Sequence, residues 1–380
     1  MKTNNYKGVL IITPTRNRYN IVINGLKSSL SNPLPNNFKI LISDDSSEAN
    51  DAEALRKFCE KHKSKIIYVK TPGNLSMTQH YEWAIHQGLK LKEFNHFCFL
   101  TDRMIFKKGV LQMIDNLLKK NPNYLISYNN DHITDHIKPV QLKQNVWSGK
   151  AVKINTAKLL YCVSQVRFHS SLPRMINCVV PRSVLNNIEK KFGSVFDSIA
   201  PDFCFCFRCL YLLKDFIYID KSLIVDYATY RSNGVSQSRG VITKDNKYYN
   251  SKLGKLKVNH ASPVPGFITT NNIIVNEYLI VKSETKSKKF KDINNNNYFE
   301  QIAIEILRIE NPKIKTQMVL LLLKKDKKAL FHILKAFMII SVIFLRPKLK
   351  FKSSKDAIDY NNNHPRLPTS DLKHLKNFVK

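Results

Sequence analysis

The sequence predicts an α/β fold in which helices flank an open, mostly parallel sheet. Strand and helix patterns alternate roughly every 25 residues over the first 130 residues. The predicted strands are continuous apolar runs, which indicates that both faces of the sheet are covered. Polar clusters follow four of these runs, and ligands bind beyond the carboxyl ends of strands in such sheets. The clusters occupy residues 13–18, 43–47, 73–76 and 101–103.

Each strand is predicted from a short apolar run, and each helix from apolar residues at helical spacing. The first strand, 8–13, is followed by Pro14, and the first helix, 19–30, ends before Pro33 and Pro35. The other predicted strands in this region are 38–42, 65–69, 95–100 and 124–128, and the other predicted helices are 49–62, 75–90 and 108–119.

The regular alternation fades after about residue 130. We still expect a strand at 175–180, helices at 182–191 and 202–213, a strand at 216–226 and a Gly/Ser-rich loop at 230–240. The predicted organisation is one domain over 1–240 with halves at about 1–130 and 131–240, an irregular connection at 241–297, and a basic helical region with a polar tail at 298–380.

The chain is strongly basic, with 61 Lys and Arg against 29 Asp and Glu and a net charge of +32. Such a field concentrates nucleic acid, acidic lipid headgroups and nucleoside diphosphates alike. A Lys-rich composition without any specific partner explains the charge equally well. We expect no specific nucleic-acid partner, because no nucleic-acid motif is present and aromatic residues are not interleaved with Lys and Arg.

Cysteine usage and the N-terminal segment predict a cytoplasmic protein. Seven cysteines, an odd number in a long chain, argue for a reducing compartment. The first residues are polar and lack a signal-peptide pattern. Cys204, Cys206 and Cys209 do not have zinc-site spacing, so we expect ordinary buried thiols.

The polar clusters, taken in order, resemble those of family 2 glycosyltransferases, which have the Rossmann-like GT-A fold. The sequence TPTRNR at 13–18 follows the first strand, SDDSS at 43–47 the second, TDR at 101–103 the fourth, and Pro201-Asp202 comes later. The resemblance covers about residues 8–235. It implies that the first half of the domain binds a nucleoside-diphosphate sugar, UDP-sugar above all, and that the second half binds the acceptor.

The resemblance also implies which residues contact the donor. Asp45, beside Asp44, would accept the ring N–H of the base, and Arg16 or Arg18 would meet the ribose or phosphate, since a guanidinium fork matches phosphate oxygens. The alternative for 44–47 is a helix N-cap at a surface turn. The other implied donor contacts are Thr13, Pro14, Asp44, Asn74, Ser76, Thr101, Arg103 and Arg231.

Asp102 is where the family would hold a divalent metal on the diphosphate. The usual motif has further carboxylates, but here Thr101 and Arg103 flank a single aspartate. Mn²⁺ or Mg²⁺ can bind through one carboxylate and substrate phosphates. Arg103 offers a second explanation, because a fixed cation can stabilise the leaving diphosphate. A structural role for Asp102 is the third.

Asp202 is the candidate catalytic base. An inverting transfer needs one carboxylate to take the proton of the acceptor hydroxyl. Phe203 and Phe205 follow it, and apolar neighbours would raise its pKa. The alternative is that Asp202 caps the next helix. The loop at 230–240 resembles one that closes over the donor in this family, so Ser232 and Ser236 are further candidates for contact with phosphate or sugar, as an alternative to an ordinary surface loop.

Trp83 and Trp147 are candidates for stacking on sugar rings or for ordinary packing. In the C-terminal region, the apolar stretch 329–345 lies between basic segments and is about 17 residues long. It predicts a helix on an anionic membrane surface, a helix packed on the domain, or a membrane span. Residues 353–380 are polar, and we expect no regular structure there.

The sequence therefore predicts an inverting glycosyltransferase that moves a hexose or similar sugar to a glycan or lipid-linked acceptor at the cytoplasmic face of a membrane. Two alternatives stay open. One is a catalytically impaired relative that binds nucleotide or glycan, suggested by the reduced TDR motif at 101–103. The other is a basic protein that binds polyanions without catalysis.

Overall fold

One mixed sheet runs through the protein, and helices cover both of its faces. The computed structural model describes residues 6–31, 34–145, 147–241, 243–253, 261–344 and 349–364. Within these residues the sheet has eleven strands. They are β1 (Val9–Thr15), β2 (Phe38–Asp44), β3 (Ile66–Lys70), β4 (His96–Phe99), β5 (Met104–Phe106), β6 (Ile126–Thr134), β7 (Val140–Lys143), β8 (Ala151–Asn155), β9 (Cys178–Pro181), β10 (Asp215–Asp226) and β11 (Leu349–Phe351).

Fourteen α-helices lie in the described part of the chain. They are α1 (Tyr19–Ser31), α2 (Ala49–Lys61), α3 (Met77–Lys90), α4 (Val110–Lys120), α5 (Thr156–Ser164), α6 (Arg182–Phe192), α7 (Pro201–Leu212), α8 (Asn233–Ser238), α9 (Lys244–Leu253), α10 (Thr270–Thr285), α11 (Asn295–Leu307), α12 (Pro312–Lys325), α13 (Ala329–Phe344) and α14 (Ser354–Asn363).

The first half of the sheet is parallel, in the order β3-β2-β1-β4. The odd residues of β1, such as Val9 and Ile11, pack under α1, α2 and α4, whereas Leu10 and Ile12 pack under α3, α6 and α7. This burial on both faces explains why the strands are continuous apolar runs. The predicted α/β fold with a central sheet flanked by helices is confirmed.

The second half of the sheet contains antiparallel pairs. β9 lies between β4 and β6 and is antiparallel to both, and β10 pairs with β6 in parallel and with β5 and β8 in the opposite direction. The short strands β5, β7 and β8 were not predicted, because three to five residues give little periodicity. The strand expected at 175–180 is β9, which begins three residues later, after a 3₁₀ turn.

A close approach between α1 and β5 fixes the turn at 101–103. A Cβ atom on Gly25 would lie 2.8 Å from the backbone oxygen of Met104, so only glycine fits there without a shift. The helix therefore packs directly against the backbone that follows Asp102.

Several expectations for the second half of the chain were wrong. The loop expected at 230–240 contains α8, the connection expected at 241–297 contains α9 and α10, and α14 lies within the tail expected to lack structure. Residues 365–380 of that tail lie outside the described residues. α9 is polar nearly throughout, and α10 carries buried asparagines among its apolar residues, so neither shows a clear amphipathic pattern.

The C-terminal helices form a separate apolar cluster. Residues 298–323 are two helices, since Pro312 begins a second one, and Asn294–Asn297 is the N-terminus of α11 and not a linker. α13 packs on α11, with Ala329 and Ala336 in their shared apolar cluster and Lys335 bonded to Glu300 of α11. No helix among the described residues is long and apolar enough to cross a bilayer. The seven cysteines are free, and Cys204, Cys206 and Cys209 are buried in α7 as expected.

Candidate active site

The carboxyl ends of β1, β2 and β4 meet at one edge of the sheet. β1 lies between the other two, and Thr15 stands opposite Asp44 in the register. A cavity of about 430 Å³ opens there. Its wall joins the strand ends to the beginning of α7, so Asp102 and Asp202 line the same space. Seven of the twelve predicted site residues line this cavity. They are Pro14, Arg16, Thr101, Asp102, Arg103, Asp202 and Arg231.

Several buried polar atoms at this edge of the sheet have no hydrogen-bond partner. Buried side-chain atoms in native proteins almost always have a hydrogen-bond partner, so an orphan needs an explanation. Four of the buried orphans in the described residues are Thr13 Oγ1, Arg16 Nε, Asp45 Oδ2 and Thr101 Oγ1. They belong to the three polar clusters that follow β1, β2 and β4. A polar ligand bound here would supply the missing partners.

Asp45 and Asp44 have different surroundings. Asp45 accepts a hydrogen bond from Thr71 and lies 3.6 Å from Arg16 Nε. Its side chain is 1% exposed. Neither aspartate lines the cavity. The Asp44 carboxylate accepts from Tyr68 Oη at 2.7 Å and from the Ser46 backbone N–H at 2.8 Å. The geometry therefore gives Asp44 a role in holding the turn, not the predicted donor contact.

The second predicted donor segment lies at the edge of the cleft. Ser76 is the N-cap of α3 and forms a capping box with Gln79, which occupies its hydroxyl. Asn74 has a left-handed backbone with φ 64° and bonds Lys252 of α9. Neither residue lines the cavity, so the predicted diphosphate contacts of Asn74 and Ser76 have no support from the geometry.

Asp102 is paired with a guanidinium group. Arg18 Nη1 donates to both carboxylate oxygens, at 3.2 and 3.3 Å, and Thr15 Oγ1 lies 3.4 Å away. No group of three or more His, Cys, Asp or Glu side chains that would hold a metal occurs in the described parts of the chain. The Asp102 carboxylate is bonded by Arg18, so a divalent cation held there would need further oxygen ligands from the substrate diphosphate.

Asp202 lies in the first turn of α7 and does not cap it, since the N-cap is Ala200 and no side-chain capping bond forms. Burial raises the pKa of the Asp202 carboxyl above its ordinary value, and the charge of Arg174 and nearby backbone N–H groups oppose that rise. A carboxylate with a raised pKa that faces a cavity is suited to accepting a proton. The alternative that Asp202 serves as an N-cap is wrong.

The structure brings in cationic and aromatic residues that sequence analysis did not assign. Arg174 and Tyr249 line the cavity, and neither lies in a recognisable motif.

His80 also lines the cavity and bonds Ser43 Oγ at 2.8 Å. Burial lowers the pKa of His80, which favours the neutral ring. Trp83 and Trp147 do not line the cavity, and Lys221 lies 5.4 Å from the Trp147 ring.

Glu277 of α10 supports the segment that precedes Asp202. It accepts a hydrogen bond from Ser198 Oγ, and Thr78 Oγ1 bonds the Ser198 carbonyl at 2.5 Å. Burial raises the pKa of Glu277 to about 7, against the effect of the Ser198 bond, and Glu277 Oε1 has no partner. An acidic residue within the apolar run at 273–281 was the signal that sequence analysis missed.

The fold and the cleft define an α/β protein with an arginine-lined cavity at the carboxyl ends of its parallel strands, the place where such folds bind ligands. Residues 10–177 match the family model described as glycosyl transferase family 2. This match covers less than half of the chain, and it confirms the predicted resemblance to family 2 glycosyltransferases over these residues.

The chain is also similar to crystal structures of S. aureus TarS. TarS 1–349 in complex with UDP-GlcNAc is 12% identical over 82% of this chain and 70% of that chain, with a TM-score of 0.44. TarS 1–349 alone is 13% identical over 87% of this chain and 89% of that chain. The structure of TarS is 10% identical over 87% of this chain and 54% of that chain, and both have a TM-score of 0.45. Nothing about the activity of this chain follows from likenesses at this level. No curated protein matches the chain.

We predict that Glu277→Gln removes part of the pH dependence of stability. A carboxyl whose folded pKa is raised stabilises the protein below its unfolded pKa, and this stability is lost as pH rises through about 7. The free energy of unfolding of the wild type should fall between pH 5 and 8 by up to ~3 kcal/mol more than that of the variant.

Urea unfolding at several pH values measures this difference. Glu93→Gln, at an exposed glutamate, is the matched control and should follow the wild type. Parallel pH profiles for the wild type and Glu277→Gln would contradict the prediction.

Proposed function

We propose that the protein is an inverting glycosyltransferase that moves a sugar from a UDP-sugar to a glycan or lipid-linked acceptor. The observation that carries this proposal is that Asp102, at the donor strand ends, and Asp202, at the start of α7, line one cavity. A hexose or similar sugar placed between them would have a base on one side and cations on the other.

The donor side offers a carboxylate for a base beside the cavity and guanidinium groups for a diphosphate on its wall. Asp45 Oδ2 has no hydrogen-bond partner and lies 3.6 Å from Arg16 Nε, so it could accept a ring N–H. The cavity wall also carries Arg18, Arg103, Arg174 and Arg231. Arginines match phosphate oxygens in a bidentate manner and stay charged when they are partly buried.

The proposed chemistry is a single displacement at the anomeric carbon. Asp202 takes the proton of the acceptor hydroxyl as its oxygen bonds to the anomeric carbon, and the bond from that carbon to the diphosphate oxygen breaks. The arginines stabilise the negative charge that develops on the leaving nucleoside diphosphate. Whether Mn²⁺ or Mg²⁺ joins them at Asp102 stays a prediction, and turnover with and without a chelator tests it.

We further propose that transfer occurs at the cytoplasmic face of a membrane, where a lipid-linked acceptor would lie. The basic composition supports this proposal, since anionic headgroups attract a chain with a net charge of +32.

We predict that Asp202→Asn abolishes turnover and leaves donor binding intact. UDP-sugar hydrolysis, with water in place of the acceptor, should fall about 10²- to 10⁴-fold, because the amide cannot accept the proton. Calorimetric UDP affinity should not change. Asp359→Asn, at an exposed aspartate of α14, is the matched control and should keep full turnover.

The outcomes separate the alternatives. Near-normal turnover in Asp202→Asn would refute the role of Asp202 as the catalytic base. UDP binding without turnover in the wild type would indicate a catalytically impaired relative. No binding of any nucleoside diphosphate, together with strong DNA binding, would indicate a polyanion-binding protein.

A further inference from the structure

α13 presents an apolar face to solvent. Its other side packs on α11, yet Leu330 is 69% exposed and Phe337 is 63% exposed. These residues recur at the three- and four-residue spacing that puts side chains on one helix face. The full exposed set is Leu330, Phe331, Leu334, Phe337, Met338 and Val342, with Leu320 and Leu323 on the adjoining α12. An apolar surface of this extent on a soluble domain marks an interaction site.

The same region is strongly basic, and Asp326 is the one acidic residue between Lys324 and Lys355. Between Asp326 and Asp356 the sequence contains no Asp or Glu. Lys324, Lys325, Lys327 and Lys328 are exposed just before α13 begins. A surface that joins apolar side chains to uncompensated lysines complements an anionic lipid leaflet.

The length of α13 decides how it meets the lipid. Its 16 residues extend about 24 Å, whereas a bilayer core is about 30 Å thick. The helix is also fixed to α11 along one side. A helix of this length that is fixed along one side would meet a bilayer lying flat, with its exposed face among the headgroups.

We propose that the exposed face of α13 is the surface by which the protein docks on an anionic membrane. A second copy of the chain is disfavoured as the occupant, because it would bring the same lysines into contact with each other. The inference adds to the proposed function by placing the enzyme where a lipid-linked acceptor lies, and it does not require the activity itself.

Sedimentation with vesicles tests this proposal on the full chain. The wild type should bind vesicles of phosphatidylcholine with 30% phosphatidylglycerol and bind pure phosphatidylcholine weakly. Phe337→Glu should weaken binding at least ~10-fold, because it removes an aromatic side chain that would be buried in the lipid and adds a negative charge. Tyr161→Glu, at a 56% exposed side chain of α5, changes the net charge equally and should bind like the wild type.

Equal binding by Phe337→Glu and the wild type would overturn the proposal. So would a wild-type dimer in the ultracentrifuge that Phe337→Glu converts to a monomer without changing vesicle binding. Loss of turnover in both proteins with intact vesicle binding would instead count against the proposed function alone.

α9 covers the donor side of the cleft. Arg18 Nη2 donates to Asp245 Oδ2 at 2.7 Å, and Arg231 Nε lies 3.3 Å from the same oxygen. The Asp245 carboxylate thus sits between two guanidinium groups in the position of an anionic ligand. Charge and hydrogen bonds from Arg18 hold the Asp245 pKa below its ordinary value, although burial alone would raise it.

The rest of α9 touches the other donor residues. The Tyr248 ring lies 3.4 Å from the guanidinium carbon of Arg16, and Lys252 bonds Asn74. Asp45, which has an orphan oxygen for a ligand, is only 1% exposed in this arrangement. A nucleotide cannot reach that carboxylate unless a covering element moves.

We infer that α9 is an internal competitor of the donor, with Asp245 in the place of a phosphate group. This inference rests on the proposed function, because it takes the ligand to be a nucleoside diphosphate. Asp245→Asn removes the negative charge that competes for Arg18 Nη2 and Arg231 Nε. The variant should bind UDP at least ~5-fold more tightly than the wild type, because the competent form is more populated.

Calorimetry with UDP measures this effect, and trypsin cleavage at Lys244, Lys247 and Lys252 reports the release of α9 without any nucleotide. The UDP affinity and the rate of trypsin cleavage should both be higher in Asp245→Asn than in the wild type. Asp292→Asn, at a 99% exposed side chain, is the matched control for charge and should behave like the wild type. UDP affinity equal to or weaker than that of the wild type would overturn the inference alone. Failure of both proteins to bind any nucleoside diphosphate would overturn the proposed function and the inference with it.

Discussion

The cleft depends on the pairing of carboxylates with arginines at the ends of parallel strands. A carboxylate taken out of water is costly unless a cation and hydrogen bonds compensate it. Asp45 faces Arg16, and Asp102 is bonded by Arg18. Asp202 has no such bond, so burial dominates and its pKa is raised. The two environments separate groups suited to binding from one suited to proton transfer.

The parallel half of the fold could be predicted because strands that are buried on both faces are continuous apolar runs in the sequence. Each of β1 to β4 is an apolar run, and a polar cluster marks its end. The meeting of Asp102 and Asp202 in one cavity was predicted only through the resemblance to family 2 glycosyltransferases. The two aspartates are 100 residues apart in the sequence, and periodicity alone does not predict that they lie close together.

The parts that could not be predicted are those fixed by tertiary contacts. α9 has no apolar face, and it is held by Asp245, Tyr248 and Lys252 through pairs distant in sequence. Glu277 interrupts an apolar run and is buried because Ser198 bonds it. Ser76 and Asp44 have donor-like sequence positions, but local hydrogen bonds occupy their side chains. Sequence spacing does not distinguish a cap from a ligand contact.

The central claim is that the ends of β1 and β2 form the nucleotide site. Photoaffinity labelling with 5-azido-UDP, followed by peptide mapping, tests it most directly. We predict labelling of peptides that contain residues 13–18 or 43–47, and this labelling should disappear with excess UDP. Competed labelling confined to the C-terminal helices α11 to α13 would contradict the account.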